Sequence, residues 1–568
     1  MSELYININN RAEKEITYDA IVVGSGISGG WAAKELTEKG LKVLMLERGG
    51  DYRHIRDYDD RSIHEYPHRG KATIDSGGAK SDITGWMFNE TIMDSWVDES
   101  KEGKYTESQP FRWVRVYRLG GRSTVWGRQS YRLSSMDFEA NAKEGVGVDW
   151  PVRYSDIAPW YDHVERFAGI SGSKEGLDIL PDGQFLPPFD LNVVEKHASE
   201  RLASIFNNRK LFIGRVANIT EPMKGRVNCQ FRNRCWHGCQ FGAYFSTQSS
   251  TLPAAAETGN LSIAVNALVT RVLYDKDSKK ATGVEILDTE THQTYHYKSK
   301  IIFLCASALN STWILMNSAT DIWPQGLGSS SGQLGHNVMD HHYNIGAHGY
   351  MEGFETFSEY GRRPTGFYVP RFANTGKDQR NYLRGFGYQG SASRQSWNRG
   401  MQMAGWGKDF VEELSREGLW TIGMGGFGEV LPDHSNSIRL DPNEKDHWGL
   451  PVLHMDAGLK ANEMAMRKDM LNEAISMLDA IGAKNIKGGD GGHELGHGIH
   501  EMGTARMGRD PRSSVLNGFN QVWDAPNVFV TDGAFMTSSS CVNPSLTYMA
   551  FTARAAHYAV DQLNKQNL

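Results

Sequence analysis

A glycine-rich turn between two short apolar runs near the N-terminus constrains the fold of this chain more than any other feature. Residues 16–23 are apolar and rich in β-branched side chains, which predicts a buried strand, and residues 41–46 predict a second one. Between them lie the turn of residues 24–30 and a predicted helix over 31–38. A strand, a helix and a strand in this order form a βαβ unit, so the sequence predicts an α/β fold.

The glycines of this turn have the spacing of a dinucleotide-binding loop. Gly24 permits the tight turn, Gly26 lets the backbone approach a pyrophosphate, and Gly29 allows the helix to pack closely on the strand. Glu47 follows the second strand, where a carboxylate accepts hydrogen bonds from ribose hydroxyls and disfavours a 2′-phosphate. The glycines alone are weak evidence, but the complete order of elements indicates FAD or NAD rather than NADP.

A predicted strand near the C-terminus favours FAD over NAD. Residues 527–530 form a buried apolar run, and Asp532 and Gly533 follow it. An acid and a backbone N–H at this point can lie beside the ribityl chain and phosphate of an extended flavin cofactor. We therefore expect Asp532 and Gly533 to contribute to the cofactor site.

Length and charge exclude several classes of function. The chain has 568 residues, enough for more than one domain, and its net charge of −6 provides no basic footprint for nucleic acid. No stretch is apolar and long enough to span a bilayer, and the N-terminal segment lacks the regions of a signal peptide. We expect a chain without its own membrane segment that folds in the cytoplasm. Later export on the signal of a partner stays open.

The rest of the chain predicts further elements. Residues 335–440 contain glycine-punctuated aromatic and β-branched runs, which suit an antiparallel sheet, and residues 55–110 read as an excursion of loops. Residues 462–481 predict a helix. Its expected core stripe comprises Met464, Met470, Ile475 and Leu478.

The chain resembles the glucose–methanol–choline (GMC) oxidoreductases over nearly its whole length. Besides the N-terminal glycine motif, the resemblance rests on five motifs, which begin at Leu119 (Leu-Gly-Gly-Arg-Ser-Thr-Val-Trp-Gly), Asp149 (Asp-Trp-Pro), Gly335 (Gly-His-Asn-Val-Met-Asp-His), His500 (His-Glu-Met-Gly-Thr-Ala-Arg-Met-Gly) and Asn543 (Asn-Pro-Ser-Leu-Thr). Within the family it is most similar to the flavoprotein subunits of bacterial glucoside 3-dehydrogenase and gluconate 2-dehydrogenase, and to pyranose oxidase.

The resemblance implies two domains that alternate along the chain. A Rossmann-like FAD-binding domain would comprise residues 1–150, 225–325 and 490–568. A substrate-binding domain built on an antiparallel sheet would comprise residues 151–225 and 325–490.

The resemblance also implies a cofactor site, in which residues 120–127 would wrap the isoalloxazine ring. Pyranose oxidase carries its flavin covalently on a histidine in this segment, and Val125 stands at the matching position here, so we expect non-covalent FAD. The residues assigned to the cofactor are Gly24, Gly26, Gly29, Glu47, Gly120, Gly121, Ser123, Thr124, Gly127, Val269, Asp532, Gly533, Asn543 and Pro544.

By the same resemblance, His500 and Asn543 would face the flavin as the catalytic pair. A neutral imidazole is a suitable base for a hydroxyl proton, and an amide can hold the substrate oxygen through a hydrogen bond. The neighbouring His493 and His497 are interpreted as loop or supporting residues, and His341 as part of a structural turn.

Cys229, Cys235 and Cys239 lie within eleven residues, a density that packing alone rarely explains. The spacing resembles the iron–sulfur loop of bacterial FAD glucose dehydrogenase, and three thiolates can hold a [3Fe–4S] cluster. A zinc site that adds His237 remains one alternative, and free or structural thiols remain another. A cluster implies a dehydrogenase that passes electrons to a cytochrome c. The resemblance to related bacterial complexes implies a small helper subunit that carries the export signal, which would place the protein in the periplasm.

The substrate is the least constrained feature. Polar and aromatic side chains suited to a polyhydroxylated ligand occur in the predicted substrate domain, at Tyr388, Gln389, Arg394, Gln395, Trp397, Asn398, Gln402, Trp406 and Trp420. The resemblance favours oxidation of a glucoside at the ring hydroxyl of carbon 3. The alternative substrate is gluconate, with Arg394 as an anchor for its carboxylate. The alternative classes of protein are an oxygen-using pyranose or alcohol oxidase and a non-enzymatic flavoprotein.

Overall fold

The computed structural model describes residues 4–8, 16–62, 65–68, 90–99, 102–401 and 403–568. The α-helices of these residues are α1 (Ile27–Glu38), α2 (Ser135–Glu144), α3 (Tyr154–Ala168), α4 (Val193–Ile205), α5 (Leu252–Glu257), α6 (Ala308–Asn317), α7 (Gly407–Ser415), α8 (Ala461–Ala480) and α9 (Ser545–Asn564). The strands are β1 (Thr17–Val23), β2 (Val43–Leu46), β3 (Thr106–Glu107), β4 (Phe212–Ile213), β5 (Leu261–Ala264), β6 (Ala267–Asp275), β7 (Lys280–Asp288), β8 (Thr294–Leu304), β9 (His341–His342), β10 (Ile345–Met351), β11 (Phe367–Val369), β12 (Phe386–Arg394), β13 (Trp420–Glu429), β14 (Ser437–Lys445), β15 (Pro451–Asp456), β16 (Lys484–Asp490), β17 (Gln521–Val522) and β18 (Ala525–Val530).

The first sheet has a parallel centre. Its order is β17–β18–β8–β1–β2–β5, and the five strands from β18 to β5 run parallel, while β6 and β7 extend it in antiparallel fashion from β8. Val23 pairs with both Leu46 and Leu304, so the carboxyl ends of the central strands meet at one edge. Ligands of open α/β sheets bind at this edge.

Both faces of the parallel strands are covered, which explains their continuous apolar sequences. Ala20 and Val22 of β1 are buried in a core shared with α1 and α9. Ile21 and Val23 point to the opposite face and belong to the larger core that includes α6 and residues of β6 and β7.

The second sheet is entirely antiparallel, in the order β16–β10–β13–β12–β11–β4, with β9 beside β13. Helix α8 packs on β10, β13 and β16. The predicted antiparallel sheet within residues 335–440 is confirmed. Together with the parallel sheet it confirms the α/β class, with a Rossmann-like domain and a second domain on an antiparallel sheet.

Helix α8 corresponds to the helix predicted over 462–481, but its core stripe differs from the prediction. Met464 and Ile475 are 40% and 37% exposed, so their assignment to the core is wrong. Met466 and Met477 are fully buried with Met470 and Leu478. Because successive helical residues are about 100° apart, the buried stripe is rotated by a fraction of a turn from the predicted one.

The strands of the first sheet lie within residues 1–150, 225–325 and 490–568, and those of the second within 151–225 and 325–490. The boundaries themselves stay a prediction. Helix α3, just past residue 150, packs against α9 of the first domain.

The excursion of residues 55–110 is described only in part, because residues 63–64, 69–89 and 100–101 lie outside the described ranges. Its end forms β3, which pairs with β15 in a small third sheet with β14. Among the helices of the described ranges, none is long and apolar enough to cross a membrane.

Candidate active site

A cavity of about 460 Å³ opens at the carboxyl edge of the parallel sheet. The glycine turn after β1, the segment 121–129 and Asp532 line one part of it. Gln389 of β12 and Phe427 of β13 line another part, so the two sheets share the cavity. Gln389 and Phe427 point to the same face of their sheet, because Gln389 pairs with Gly425, two residues from Phe427.

The glycine turn requires glycine at two positions and leaves space at a third. A Cβ on Gly24, whose φ is +92°, would lie 2.5 Å from the carbonyl oxygen of Cys305, and a Cβ on Gly29 would lie 1.9 Å from that of Gly24. A Cβ on Gly26 would meet nothing within 4 Å, and Gly26 lines the cavity. Helix α1 begins after Gly26 without a side-chain cap from the described residues, so its first N–H groups can receive a phosphate.

Ser25 connects the glycine turn with Glu47 and with the second glycine segment. The Glu47 carboxylate accepts hydrogen bonds from the Ser25 hydroxyl (2.5 Å) and N–H (3.1 Å) and from the Gly49 N–H (2.9 Å). The Gly120 N–H in turn donates to the Ser25 hydroxyl at 2.8 Å. Burial raises the pKa of Glu47, and these hydrogen bonds oppose that rise. Sequence reasoning missed Ser25, although it lies inside the glycine motif.

The second glycine segment forms a 3₁₀ turn over Gly121–Thr124. Gly120 has a φ of +96°, which favours glycine. The Ser123 hydroxyl donates to the Gly120 carbonyl and accepts from the Thr247 N–H, while the Thr124 hydroxyl donates to the Gly121 carbonyl at 2.9 Å. These contacts fix the backbone that lines the cavity.

The structure places most of the predicted cofactor residues on the cavity wall. Those that line it are Gly24, Gly26, Glu47, Gly121, Ser123, Gly127, Val269, Asp532, Gly533 and Asn543. Gly29, Gly120, Thr124 and Pro544 lie behind this wall, in the elements that shape it.

The polar groups of the cavity fit a large polar cofactor. The Tyr548 hydroxyl and the Nε atoms of Arg48, Arg115 and Arg128 are buried without a hydrogen-bond partner among the described residues, and all four side chains line the cavity. Buried polar groups are usually paired, so these groups indicate a ligand. Burial raises the pKa of Asp532 to about 6, against hydrogen bonds from the Ser311 hydroxyl and the Ala534 N–H.

His500 and Asn543 meet at this cavity. The Nε2 atom of His500 lies 3.5 Å from the Nδ2 atom of Asn543. Gln389 donates from Nε2 to the Oδ1 atom of Asn543 at 2.6 Å. Because Oδ1 is occupied, the amide N–H groups of Asn543 are directed to His500 and the cavity.

A second histidine fixes the tautomer of His500. The Nε2 atom of His341 lies 2.8 Å from the carbonyl oxygen of Ser540, which can only accept, so His341 carries its proton on Nε2. Its Nδ1 atom therefore accepts from Nδ1 of His500, 2.8 Å away. His500 then has its proton on Nδ1 and its lone pair on Nε2, beside Asn543.

Burial keeps this pair of imidazoles neutral. It lowers the pKa of His341 to about 4, and it holds the pKa of His500 well below its usual range, with smaller contributions from the neighbouring His341 and from the charge of Arg122. Asp340 accepts hydrogen bonds from the backbone N–H groups of His341, Gly498 and His500 at 2.8–2.9 Å. The backbone of both histidines is thus held by one carboxylate.

This arrangement can remove a proton from a hydroxyl group. A substrate hydroxyl placed between the two side chains would donate to Nε2 of His500 and accept from Nδ2 of Asn543. The rings of Phe427 and Tyr343, 4.9 Å apart, line the cavity beside the pair and offer apolar surface to C–H groups.

Several residues of the site were not predicted. His341 is more than a structural turn, since it contacts His500, and His497 lines the cavity. Arg122 also lines it and forms an ion pair with the fully buried Glu501 at 2.9 Å. Glu501 directly follows His500 in the predicted motif, and this adjacency was the signal available for finding it.

The cysteine segment lies beside the cavity. Trp236, which stands between Cys235 and His237 in the sequence, lines the cavity wall. All three thiols are half-buried and free of disulfides. Burial is the main cause that raises the pKa of Cys229 to about 11.

The cysteines are not arranged around one point. Their sulfur atoms do not all lie within 4.8 Å of one another, and adding His237 does not complete such a group. A single zinc ion with bonds of about 2.3 Å would hold sulfur atoms within about 3.8 Å.

Of the residues expected to meet a substrate whose side chains the structure describes, Gln389 is the one that lines the cavity. Tyr388 points to the other face and donates to the Met470 carbonyl, and Trp397 and Trp406 are 75% and 91% exposed. Arg394 is paired with Glu417 at 2.6 Å. Gln402 lies outside the described residues.

Two family models described as GMC oxidoreductase match residues 18–343 and 432–552. The chain therefore belongs to the GMC oxidoreductases, FAD-binding enzymes that act on CH–OH donors, and the predicted family and enzyme class are confirmed.

Curated relatives span nearly the whole chain. 2-Methyl-1,2-propanediol dehydrogenase of Mycolicibacterium austroafricanum is 28% identical over 95% of this chain and 94% of its own length. The fructose dehydrogenase large subunit of Gluconobacter japonicus is 24% identical over 98% and 100%. The gluconate 2-dehydrogenase flavoprotein of Pantoea cypripedii is 25% identical over 95% and 94%.

A solved structure shares the fold. Pyridoxine 4-oxidase from Mesorbium loti matches with a TM-score of 0.58 and 15% identity, over 96% of this chain and 99% of that one.

Proposed function

We propose that this protein is an FAD-dependent sugar dehydrogenase that oxidises a ring secondary hydroxyl of a glucoside, at carbon 3, to a keto group. The observation that carries the proposal is the pair of His500 Nε2 and Asn543 Nδ2, 3.5 Å apart on the cavity wall. FAD, when bound, supplies the acceptor for the hydride that leaves the carbon. His500 takes the hydroxyl proton, and the Asn543 amide holds the oxygen.

The residues around the pair support a neutral, polyhydroxylated substrate. Gln389 presents an amide, and Phe427 and Tyr343 present rings, a combination that matches the hydroxyl groups and C–H patches of a sugar. Two of the relatives are named for fructose and gluconate, a sugar and a sugar acid.

A gluconate substrate would need a cationic anchor for its carboxylate. Arg394 does not line the cavity, and its guanidinium is engaged by Glu417 and by the carbonyl groups of Gly418 and Glu355. Arg394 is therefore not the anchor for a gluconate carboxylate in this arrangement.

We further propose that Cys229, Cys235 and Cys239 hold a [3Fe–4S] cluster that passes electrons to a cytochrome c. In such a cluster each thiolate binds a different iron, so the sulfur atoms need not converge as closely as for one zinc ion. The buried Nδ1 atom of His237 has no hydrogen-bond partner among the described residues, which leaves a polar group for the cluster to satisfy. A helper subunit that carries the export signal, with FAD held non-covalently in a periplasmic complex, completes the proposal.

The substrate is tested by anaerobic addition of methyl glucosides to the purified protein, with flavin absorbance as the measurement. Methyl β-glucoside and its 2-deoxy analogue should bleach the flavin bands, whereas the 3-deoxy analogue should not. Bleaching by the 3-deoxy analogue would move the oxidised position, and bleaching by gluconate alone would replace the glucoside. FAD released by denaturation would confirm its non-covalent binding.

The electron route is tested by iron analysis and electron paramagnetic resonance. We expect about three iron atoms per chain and the signal of an oxidised three-iron cluster, both lost in Cys235→Ser. Protein without iron that consumes oxygen at the rate of substrate turnover would be an oxidase.

A further inference from the structure

Glu35, His163 and His557 form a cluster that plays no part in the site described above. They lie on three helices, α1, α3 and α9. Their ligating atoms all lie within 4.8 Å of one another, and in the described part of the chain no other three such side chains meet this condition. We propose that this cluster binds one divalent transition-metal ion of the zinc type and joins the three helices through it.

The distances are close to those of a metal site. Nε2 of His163 lies 2.8 Å from Oε1 of Glu35, and Nε2 of His557 lies 2.9 Å from Oε2. Tetrahedral zinc with bonds of about 2.0–2.1 Å separates its ligand atoms by about 3.3 Å, so each histidine nitrogen lies about half an ångström closer to its carboxylate oxygen than a bound zinc ion requires. A metal bound at Nε2 requires each imidazole to keep one proton on Nδ1, so the proton that now points from Nε2 to the carboxylate must move to Nδ1 or, from a doubly protonated ring, leave to solvent.

Burial and charge suit a cation that enters from solvent. The Glu35 side chain is 3% exposed, whereas those of His163 and His557 are 39% and 35% exposed. Burial raises the pKa of Glu35, but hydrogen bonds from the two histidines and the charge of Lys34 outweigh it and hold that pKa well below its usual range. A charged carboxylate at the base and two accessible imidazoles leave a fourth position for water.

Tryptophan rings hold the two imidazoles in place. The ring centroids of Trp160 and His557 are 4.8 Å apart, and those of Trp31 and His163 are 6.0 Å apart, both in edge-on geometry. Ligands that are oriented before binding lose less freedom when the metal arrives.

Lys34 is the competing cation. Its ammonium lies 3.1 Å from Oε1 of Glu35 and 2.8 Å from Oε2 of Glu38. It can stay on Glu38 when the metal takes Glu35. Removing its charge should therefore strengthen metal binding, which a purely structural role of the cluster does not predict.

Zinc binding to the holoenzyme tests the proposal, measured as bound zinc after equilibrium dialysis and as the shift in Tm. We expect one zinc per chain at this site and a raised Tm. His557→Gln keeps a hydrogen-bond donor for Glu35 but loses the metal ligand. It should weaken zinc binding by more than about 10–100-fold, which is the typical loss when a residue that only hydrogen-bonds to a metal ligand is replaced. Lys34→Met should strengthen it. The matched control is His296→Gln, since His296 also contacts a single carboxylate, Glu285 at 3.2 Å, outside the cluster.

The cysteine segment provides the competing explanation. If Cys235→Ser abolishes the zinc effect while His557→Gln retains it, the metal binds the thiols and the proposal is overturned. It is equally overturned if the wild-type protein binds no zinc at micromolar concentration. Retention in Cys235→Ser with loss in His557→Gln establishes the site.

Discussion

The Nδ1 atoms of His341 and His500 lie 2.8 Å apart, and the far nitrogen of His341 is bound to the Ser540 carbonyl. Because a carbonyl cannot donate, the Ser540 carbonyl places the proton of His341 on Nε2, and the Nδ1 atom of His341 then places the proton of His500 on Nδ1. The result is an unprotonated Nε2 on His500 at the cavity, facing Nδ2 of Asn543. His341 is thus a positioning residue, which acts on substrate through His500.

Replacing His341 should separate positioning from catalysis. His341→Leu removes the acceptor for Nδ1–H of His500, so the ring can rotate or change tautomer, and we expect kcat to fall about 10–100-fold with little change in KM. His341→Asn can accept the same hydrogen bond through Oδ1 and should restore part of the rate. Equal losses in both variants, with equally lowered Tm, would indicate a structural role alone.

Removing the base should cost more. His500→Ala should lower turnover about 10²–10⁴-fold while FAD stays bound, because the imidazole transfers a proton but is one of many groups on the cavity wall. The ratio of flavin to protein absorbance checks retention, and stopped-flow reduction under anaerobic conditions gives the rate. A variant that reduces its flavin at the wild-type rate would remove His500 from this role.

The pH profile should reflect the depressed pKa of His500. Its imidazole must be neutral to accept a proton, and burial holds its pKa well below the usual 6.5. We therefore expect kcat/KM to stay constant as pH falls from 8 to 6.5 and to decline only at lower pH. A decline centred at or above pH 6.5 would show that substrate or cofactor binding reverses the effect of burial.

The sequence predicted the elements that local patterns determine. The glycine turn, Glu47 and the strand before Asp532 follow from residue spacing, and all occur as expected at one sheet edge. His500 and Asn543 were found through motifs.

The supporting residues could not be found in this way, because their partners are distant in sequence. Gln389 and Asn543 are 154 positions apart, with Gln389 in β12 and Asn543 in the loop before α9. The strand periodicity also separates near neighbours, since Tyr388 points to the Met-rich core and Gln389 to the cavity. Composition alone had grouped both as substrate contacts.

The Gln389–Asn543 contact gives a further prediction. Gln389→Glu replaces the donor to Oδ1 of Asn543 with an acceptor, so the Asn543 amide should rotate and turn its oxygen to His500. The substrate hydroxyl then loses its donor, and we expect kcat/KM to fall about 10–100-fold, equivalent to about 1.4–2.7 kcal/mol. Gln389→Met, of similar size and without a charge, leaves the amide free to adopt either orientation and should lose less. A larger loss in the Met variant would mean that Gln389 contacts the substrate directly.

The hydroxyl of Ser25 should determine how tightly the cofactor is held. It donates to Glu47 and accepts from the Gly120 N–H, and it is fully buried. Ser25→Ala leaves that N–H without its partner, at a cost of about 1–3 kcal/mol, and loosens the two glycine segments that face the cavity. We expect FAD to dissociate about tenfold faster or more, measured by flavin fluorescence after dilution, with a lower Tm. Ser278→Ala, which removes an exposed hydroxyl from Asp275, is the matched control and should leave both unchanged. If Ser25→Ala retains FAD as the wild type does, the two glycine segments are held by their backbone conformation alone.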